Sequence, residues 1–417
     1  MISQQRLAEQ LKTLENFSSS ESGITRLAFS DEDWQARSFI IETMTKAGLS
    51  IRTDAFGNVI GRLEGLDPKL PAIMSGSHAD SVPQGGNYDG IVGILCAIEA
   101  ITSLKESGWK NDHAVEIVLF MAEESSRFGT ATLGSKAMRG KLTREALRHF
   151  KDKNSLSLYQ ALSMRGLSPD LIDTAKYTAK LKAFFEVHIE QGKVLEYHKK
   201  QIGIVTGIAA PTRLKIHLHG QADHSGATPM ELRHDCLCGA AEIVLAVEKF
   251  ASIEKSPPAV ATVGILDVKP GVMNVIPGDV ELGIDIRSIC AETKTRVTEG
   301  ISASIASICE ARGLEFETTL LADEAPASIQ PQMLDFFEEI CRKQQVDFLR
   351  LPSGAGHDAM HWTDYTHTGM IFIPCRDGIS HNPAEYAKLE DITAAASILA
   401  QAIQKVSSAD FSWPQNI

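Results

Sequence analysis

Gly76-Ser77-His78-Ala79-Asp80, followed closely by Gly85-Gly86-Asn87-Tyr88-Asp89-Gly90, is the pattern on which the architecture turns. The apolar run Ala72-Ile73-Met74 leads straight into it, which predicts a buried strand with His78 at its carboxyl end. Open α/β sheets place their ligand sites at that edge. Asp80 lies close enough to hold the His78 ring by a hydrogen bond, a common service of carboxylates to metal-bound imidazoles. Asp89 precedes Ile91-Val92-Gly93-Ile94-Leu95, a helix-like apolar pattern that should run to Gly108. Taken singly, a His-x-Asp is an ordinary core or surface pair, and an Asp before an apolar run is a helix N-cap. Three further stretches of the same kind shift that balance.

Residues 114–121 read as a buried strand ending in Ala122-Glu123-Glu124, and 183–187 as another ending in His188-Ile189-Glu190-Gln191-Gly192. Residues 368–373 form one more, followed at the same edge by Ser380-His381-Asn382-Pro383. Four strand ends thus carry imidazole or carboxylate. His, Asp and Glu without Cys suit a catalytic metal site, because structural zinc sites are mostly thiolate-rich. A shared carboxylate would bridge two ions, and the ions would hold a water between them. One of the two adjacent glutamates would then be a ligand and the other a general base.

Around this frame, residues 2–15 and 31–48 read as amphipathic helices, the second with an acidic first turn that suits the helix dipole. Residues 50–64 read as a hairpin around Phe56-Gly57-Asn58, and 140–180 as a polar, helix-prone peripheral excursion. From about 211 the order becomes strand-helix-strand-strand-helix-strand, the ferredoxin-like sequence of elements. This gives an α/β domain of 1–210 and 328–417, with 211–327 inserted as a small α+β domain. Helices over 331–345 and 390–407 complete the first.

The 417 residues exceed one ordinary core, and 43% apolar with 23% charged residues describes a globular chain. A net charge of −12 argues against nucleic acid or an anionic membrane as the main partner. No apolar run is long enough to span a bilayer, and Met1-Ile2-Ser3-Gln4-Gln5-Arg6 lacks the apolar core of a signal peptide. Of the seven cysteines, Cys236 and Cys238 alone are near neighbours, so a reduced, cytoplasmic compartment is expected.

With GSHADSV (76–82), GGNYDG (85–90), AEESSRF (122–128), VHIEQG (187–192), ADHSGATPM (222–230), NVIPG (274–278), DIR (285–287), SGAGHDA (353–359) and ISHNPAE (379–385) in this order, the chain resembles the dinuclear metallohydrolases of the aminoacylase and carboxypeptidase G group. Within them it is similar to the branch of N-carbamoyl-L-amino acid hydrolase, β-ureidopropionase and allantoate amidohydrolase. The resemblance implies a metallopeptidase-like α/β catalytic domain with an inserted lid and dimerisation domain. It implies two divalent ions per subunit (zinc, manganese, cobalt or nickel) on His78, Asp89, Glu124, His188 and His381, with Asp89 bridging and Glu123 as general base. Gln191, His224, Asn274 and Arg287 match substrate-contacting positions, His224 also serving catalysis, and Ser353 and His357 lie in a matching loop. His224 would reach the metal site of the other subunit of a homodimer. Ser125 departs from the pattern, standing where many relatives have Gly.

The implied reaction is hydrolysis of a C–N bond in a ureido or carbamoyl carboxylate, foremost an N-carbamoyl-L-amino acid. Allantoate is the alternative, a dipeptidase or aminoacylase activity fits the motif details less well, and a metal-free binding relative is the non-enzyme reading. The intact ligand set together with Glu123 argues against the last.

Overall fold

The computed structural model describes residues 1–413 and divides into two units. The first comprises 1–206, 329–351 and the chain from 356 onward; the second comprises 207–328 with 352–355. Along the chain the strands are β1 (Ser50–Thr53), β2 (Val59–Leu63), β3 (Ala72–His78), β4 (Val115–Phe120), β5 (Leu181–Ile189) and β6 (Ile202–Ile208). Next come β7 (Ala210–His219), β8 (Ala259–Lys269), β9 (Asp279–Ser288) and β10 (Glu315–Asp323), then β11 (Ala327–Ser328), β12 (Phe348–Ser353) and β13 (Thr368–Ile373).

The first unit is organised by a sheet ordered β1-β2-β4-β3-β5-β13-β6. Its four central strands run parallel, β4 beside β3, β3 beside β5 and β5 beside β13. Their carboxyl ends therefore share one edge, which is why residues scattered from 78 to 381 can meet. The outer pairs, β2 on β4 and β6 on β13, are antiparallel. β3, β4 and most of β5 are buried on both faces, as parallel strands under helices require.

Helix Ile91–Glu106 packs on β3 and β5 and against helix Leu389–Val406. It is buried on nearly every face, and each enclosed Ile or Leu contributes roughly 1.5–3 kcal/mol. Its one buried acid, Glu99, is held by the Arg6 guanidinium (2.8 Å) and the Ser3 amide (2.7 Å), which ties helix Gln4–Leu14 to the core. Helix Asp31–Lys46 is capped by Ser30 accepting from the Asp33 amide. The hairpin turns because Asp54 accepts the amides of Phe56, Gly57 and Asn58, with Gly57 at φ 103°.

The 140–180 region differs from the polar excursion expected. Its short helices Arg144–His149 and Leu158–Met164 bury Leu147, Leu158, Ala161 and Leu162 with Phe29, Phe56 and Leu133 in a cluster of their own. Apolar residues spaced for two-turn helices give too short a period to recognise. Strands β6 and β12 also depart from expectation; β6, Ile-Gly-Ile-Val-Thr-Gly-Ile, has the glycines that weaken a strand pattern.

The second unit is a four-stranded antiparallel sheet ordered β10-β7-β9-β8, with helices Cys236–Ile253 and Ala291–Arg312 contributing to one core with Leu214, Ile216, Leu218, Val280, Leu282, Ile284 and Ile286. The inner strands β7 and β9 alternate, so one of their faces meets the helices and the other is polar. Among the described residues no helix is long and apolar enough to cross a membrane, and all seven cysteines are free thiols.

Gly93 marks a tight approach of helix to sheet. A Cβ there would overlap the Val187 carbonyl oxygen and crowd the Ser77 Cβ at 2.7 Å. Gly93→Ala should lower stability by about 1–3 kcal/mol in urea unfolding, whereas Gly264→Ala, with open space around it, should not. Equal midpoints for the two variants would mean that this approach is not tight.

Candidate metal centre

Each donor at the sheet edge is aimed by its own backbone. His78 ends β3, and its Nδ1 bonds the Asp80 main-chain carbonyl at 3.0 Å. His188, in β5, bonds the Ile189 carbonyl through Nδ1 at 2.9 Å. A carbonyl can accept only, so in both rings Nδ1 carries the proton and Nε2 keeps its lone pair. Gly90 N–H donates to His188 Nε2 at 3.2 Å, in agreement. Both Nε2 atoms lie 3.3 Å from Asp89 Oδ1.

The other oxygen, Asp89 Oδ2, is 3.5 Å from His381 Nε2, which in turn is 3.3 Å from Glu124 Oε1. Two groups able to hold a metal result, His78-Asp89-His188 and Asp89-Glu124-His381, each with its ligand atoms within 4.8 Å of one another. They share Asp89. Lone-pair nitrogens and carboxylate oxygens facing each other repel unless a cation lies among them, so the donor chemistry fits divalent ions. The amide of Gln191 donates to Asp89 Oδ2 (2.6 Å) and sits 3.2 Å from His381 Nε2, while its own buried oxygen has no hydrogen-bond partner among the described residues.

Electrostatics show how strongly this cluster of carboxylates draws positive charge. Burial disfavours a charged His78, yet Glu123, Asp89 and Asp80 outweigh it and hold the ring well above its ordinary value. The carboxylates of Asp89 and Glu124, as hydrogen-bond acceptors for the ring, push His381 up to about 11. Burial would raise Asp89, but His188, His381 and His78 hold it well below the usual carboxylate range. Burial, opposed by His78 and reinforced by Glu124 and Asp358, raises Glu123 well above that range. Glu123 Oε2 lies 3.8 Å from His78 Nε2, so a buried carboxylate with high proton affinity borders the first group.

Asp80 acts differently from the expectation. Its carbonyl, rather than its carboxylate, holds the His78 ring, and the carboxylate is 3.8 Å from Nδ1. The carboxylate oxygens accept the amides of Glu123 (3.1 Å) and Glu124 (3.0 Å), one each. Asp80 therefore fixes the turn that presents both glutamates. Ala122, just before that turn, adopts φ 56°, and Gln191 and His381 are left-handed as well. Such non-glycine strain concentrates where structure around it enforces it. Ser125 lies outside the left-handed region, so the turn makes no demand for glycine there.

Two residues of the last motif, Ser380 and Glu385, take part without standing out in the sequence. Glu385 accepts the amides of Tyr88 (2.9 Å) and Asp89 (3.1 Å) and takes a bond from Ser380, whose hydroxyl also reaches Asp89 Oδ2 (3.1 Å). The one signal for them is an acid four residues after His381. His357 is buried, its ring 4.5 Å from that of His188, and burial holds it well below its ordinary value.

His224, Asn274, Arg287 and Ser353 belong to the second unit. His224 Nδ1 accepts the amides of Gly226 and Ala227, which leaves Nε2 as the protonated nitrogen of the neutral ring and a donor. The Asn274 carbonyl accepts from the Ser225 amide. Arg287 gives Nε and Nη2 to Asp285 and Nη1 to the Gly354 carbonyl. Ser353 closes the 353–355 turn through both the amide and the carbonyl of Ala355.

The model for peptidase family M20/M25/M40 matches residues 74–405. Over 97% of this chain and 98% of the relative, the N-carbamoyl-L-amino-acid amidohydrolase of Pseudomonas sp. (strain NS671) is 39% identical. The ureidoglycolate hydrolase of Arabidopsis thaliana is 38% identical over 96% of this chain and 86% of the relative, and the allantoate amidohydrolase of Escherichia coli 34% over 95% and 96%. A crystal structure of an amidase of the hydantoinase/carbamoylase family from Burkholderia multivorans superposes with a TM-score of 0.90 at 33% identity, covering 97% of this chain and 98% of that one.

Because Asp89 is shared and Glu124 is not, the two groups should respond differently to substitution. Asp89→Ala should empty both, whereas Glu124→Gln should weaken the His381 group and spare the His78 group. Elemental analysis of the two variants decides this; equal losses would show that the groups are not separate.

Proposed function

The chain belongs to the M20/M25/M40 peptidase family, within its hydantoinase/carbamoylase amidases, and from that premise we propose that it hydrolyses N-carbamoyl-L-amino acids through a two-ion centre. The observation that carries this reading is the single carboxylate, Asp89, set between two donor groups beside the buried Glu123. Divalent ions held there supply Lewis acidity at the carbamoyl carbonyl and favour ionisation of the attacking water. Glu123 takes the proton from that water as the C–O bond forms. It then hands the proton to the leaving nitrogen as the C–N bond breaks, releasing the amino acid. The carbamate fragment decays to ammonia and carbon dioxide. His224 Nε2–H and the Asn274 amide are suited to the oxyanion that develops on the carbonyl.

Arg287 reads the substrate carboxylate in this account. Asp285 takes one side of its fork and Gly354 one further donor, so of the five N–H groups of an arginine, one on each terminal nitrogen remains for a planar anion. Allantoate is the second reading, supported by the 34% identity to an allantoate amidohydrolase, and the same donors would serve it.

We take the working unit to be a cytoplasmic homodimer joined through the second unit, with the partner's His224 completing each site. Support comes from the exposed Val260, Ile265 and Leu266 on β8, an edge strand of the second unit.

A panel of N-carbamoyl-L-amino acids, N-carbamoyl-β-alanine, ureidoglycolate and allantoate, run with zinc, manganese, cobalt and nickel, tests the assignment. The carbamoyl-L-amino acids should give the highest kcat/KM, and chelation should abolish it. Glu123→Gln should keep its metal and lose turnover by about 10²–10⁴-fold, the usual worth of a general base. Loss of metal in that variant would make Glu123 a ligand.

Arg287→Lys keeps the charge and loses the fork, so carboxylate substrates should suffer while their uncharged amide analogues are spared. An equal loss for both would make Arg287 a support of its own strand. Co-expressed Glu123→Ala and His224→Ala chains, each inactive alone, should recover roughly a quarter of wild-type activity through hybrid dimers. Absence of recovery would place His224 in the site of its own chain.

A further inference from the structure

On β7, Leu214, Ile216 and Leu218 enter the core of the second unit, which puts Arg213, Lys215, His217 and His219 on the opposite face of the sheet. In register across from them on β9 stand Glu281, beside His217, and Asp279, beside His219. Both imidazoles converge on one oxygen: Asp279 Oδ2 lies 2.7 Å from His217 Nε2 and 3.5 Å from His219 Nδ1. The two rings are 4.1 Å apart between centroids. All three donor atoms lie within 4.8 Å of one another, and each side chain is about one-third exposed.

We propose that His217, His219 and Asp279 form a further divalent-cation site, built on the polar face of the second unit's sheet and sharing no residue with the Asp89 centre. An ordinary ion pair needs one imidazole against the carboxylate; a second ring brought to the same oxygen makes a chelate. The His-x-His spacing on a strand supplies two imidazoles from one face, and the neighbouring strand supplies the acid. The surroundings favour a cation. Lys215 is engaged by Glu281 at 2.9 Å, and Lys269, in register with Asp279 on β8, has its amine 3.7 Å from Asp267. Against these two lysines stand Asp267, Asp279, Glu281 and, in register with His217 and His219 on β10, Glu317 and Glu315. Two nitrogens and one carboxylate oxygen select a late first-row ion, zinc, nickel or copper, over magnesium or calcium. Three protein donors leave coordination positions open to solvent or to a neighbouring glutamate. Such an ion ties β7 to β9 through side chains, beyond their backbone ladder.

The test reads bound metal instead of turnover. Enzyme already loaded at its catalytic centre and desalted is titrated with zinc, and separately with nickel, by calorimetry and elemental analysis. Wild type should take up one further equivalent and melt at a higher temperature. His217→Gln/His219→Gln should bind that equivalent at least tenfold more weakly, with catalytic metal and activity unchanged. Asp279→Asn, which alters a single part-exposed carboxylate, should weaken it in the same direction and serves if the double variant folds poorly. No further equivalent in wild type, or equal uptake by wild type and both variants, overturns the proposal.

Discussion

A buried carboxylate surrounded by lone pairs is the constraint on which the first unit depends. Asp89 faces two imidazoles through one oxygen and a third through the other, with Glu124 close behind. These groups repel one another and are withdrawn from water, so the fold must force them together. It does so by holding backbone as much as side chains. Asp80 clamps the amides of both glutamates, Glu385 clamps those of Tyr88 and Asp89, and two carbonyls fix the tautomers of His78 and His188. Gly90, at φ 66°, leaves the gap that His78 fills, since a Cβ there would stand 2.5 Å from its ring. The parallel strands supply direction, and these clamps supply position.

Much of this is legible in the chain itself. Apolar runs ending in His78, Glu123-Glu124 and His188 are strands whose direction a parallel sheet makes common, so the pattern of residues alone gathers the candidates at one edge. The ferredoxin-like order of the second unit is equally readable, because strict alternation such as Val280, Leu282, Ile284, Ile286 admits one interpretation. The features that local pattern cannot supply depend on contacts between residues far apart in sequence. Glu385 clamps an amide 296 residues away, and its spacing from His381 alone does not say what it clamps. The left-handed turns at Ala122 and Gln191 involve residues with little local preference for that conformation. Asp80 holds His78 through its carbonyl instead of its carboxylate, and the spacing of the two residues fits either group. His217 and His219 read as strand alternation alone, because their partner Asp279 lies 62 residues beyond His217.

The second unit sets matched polar side chains on one face of β7 and β9 and a core on the other. Its helices cover Leu214 to Leu218 and Val280 to Ile286, and the polar face displays matched charges, Arg213 with Asp285 and Lys215 with Glu281. Exposed pairs of this kind are worth little singly. They follow the register of β7 and β9, and Arg287 and His217 are placed within that same ladder.

The order of the donors along the chain has a consequence for biosynthesis. His78, Asp89 and His188 are all synthesised by the end of β5, the strand that pairs with β3 in the folded chain. His381 and the Glu385 clamp emerge after the whole second unit has been synthesised. Domains generally fold as units from the N-terminus during synthesis. The donors of the first group are thus made before the second unit, and His381 of the other group after it. Synthesis order follows the order of the strands: β3 and β5 precede β13, the strand that leads to His381.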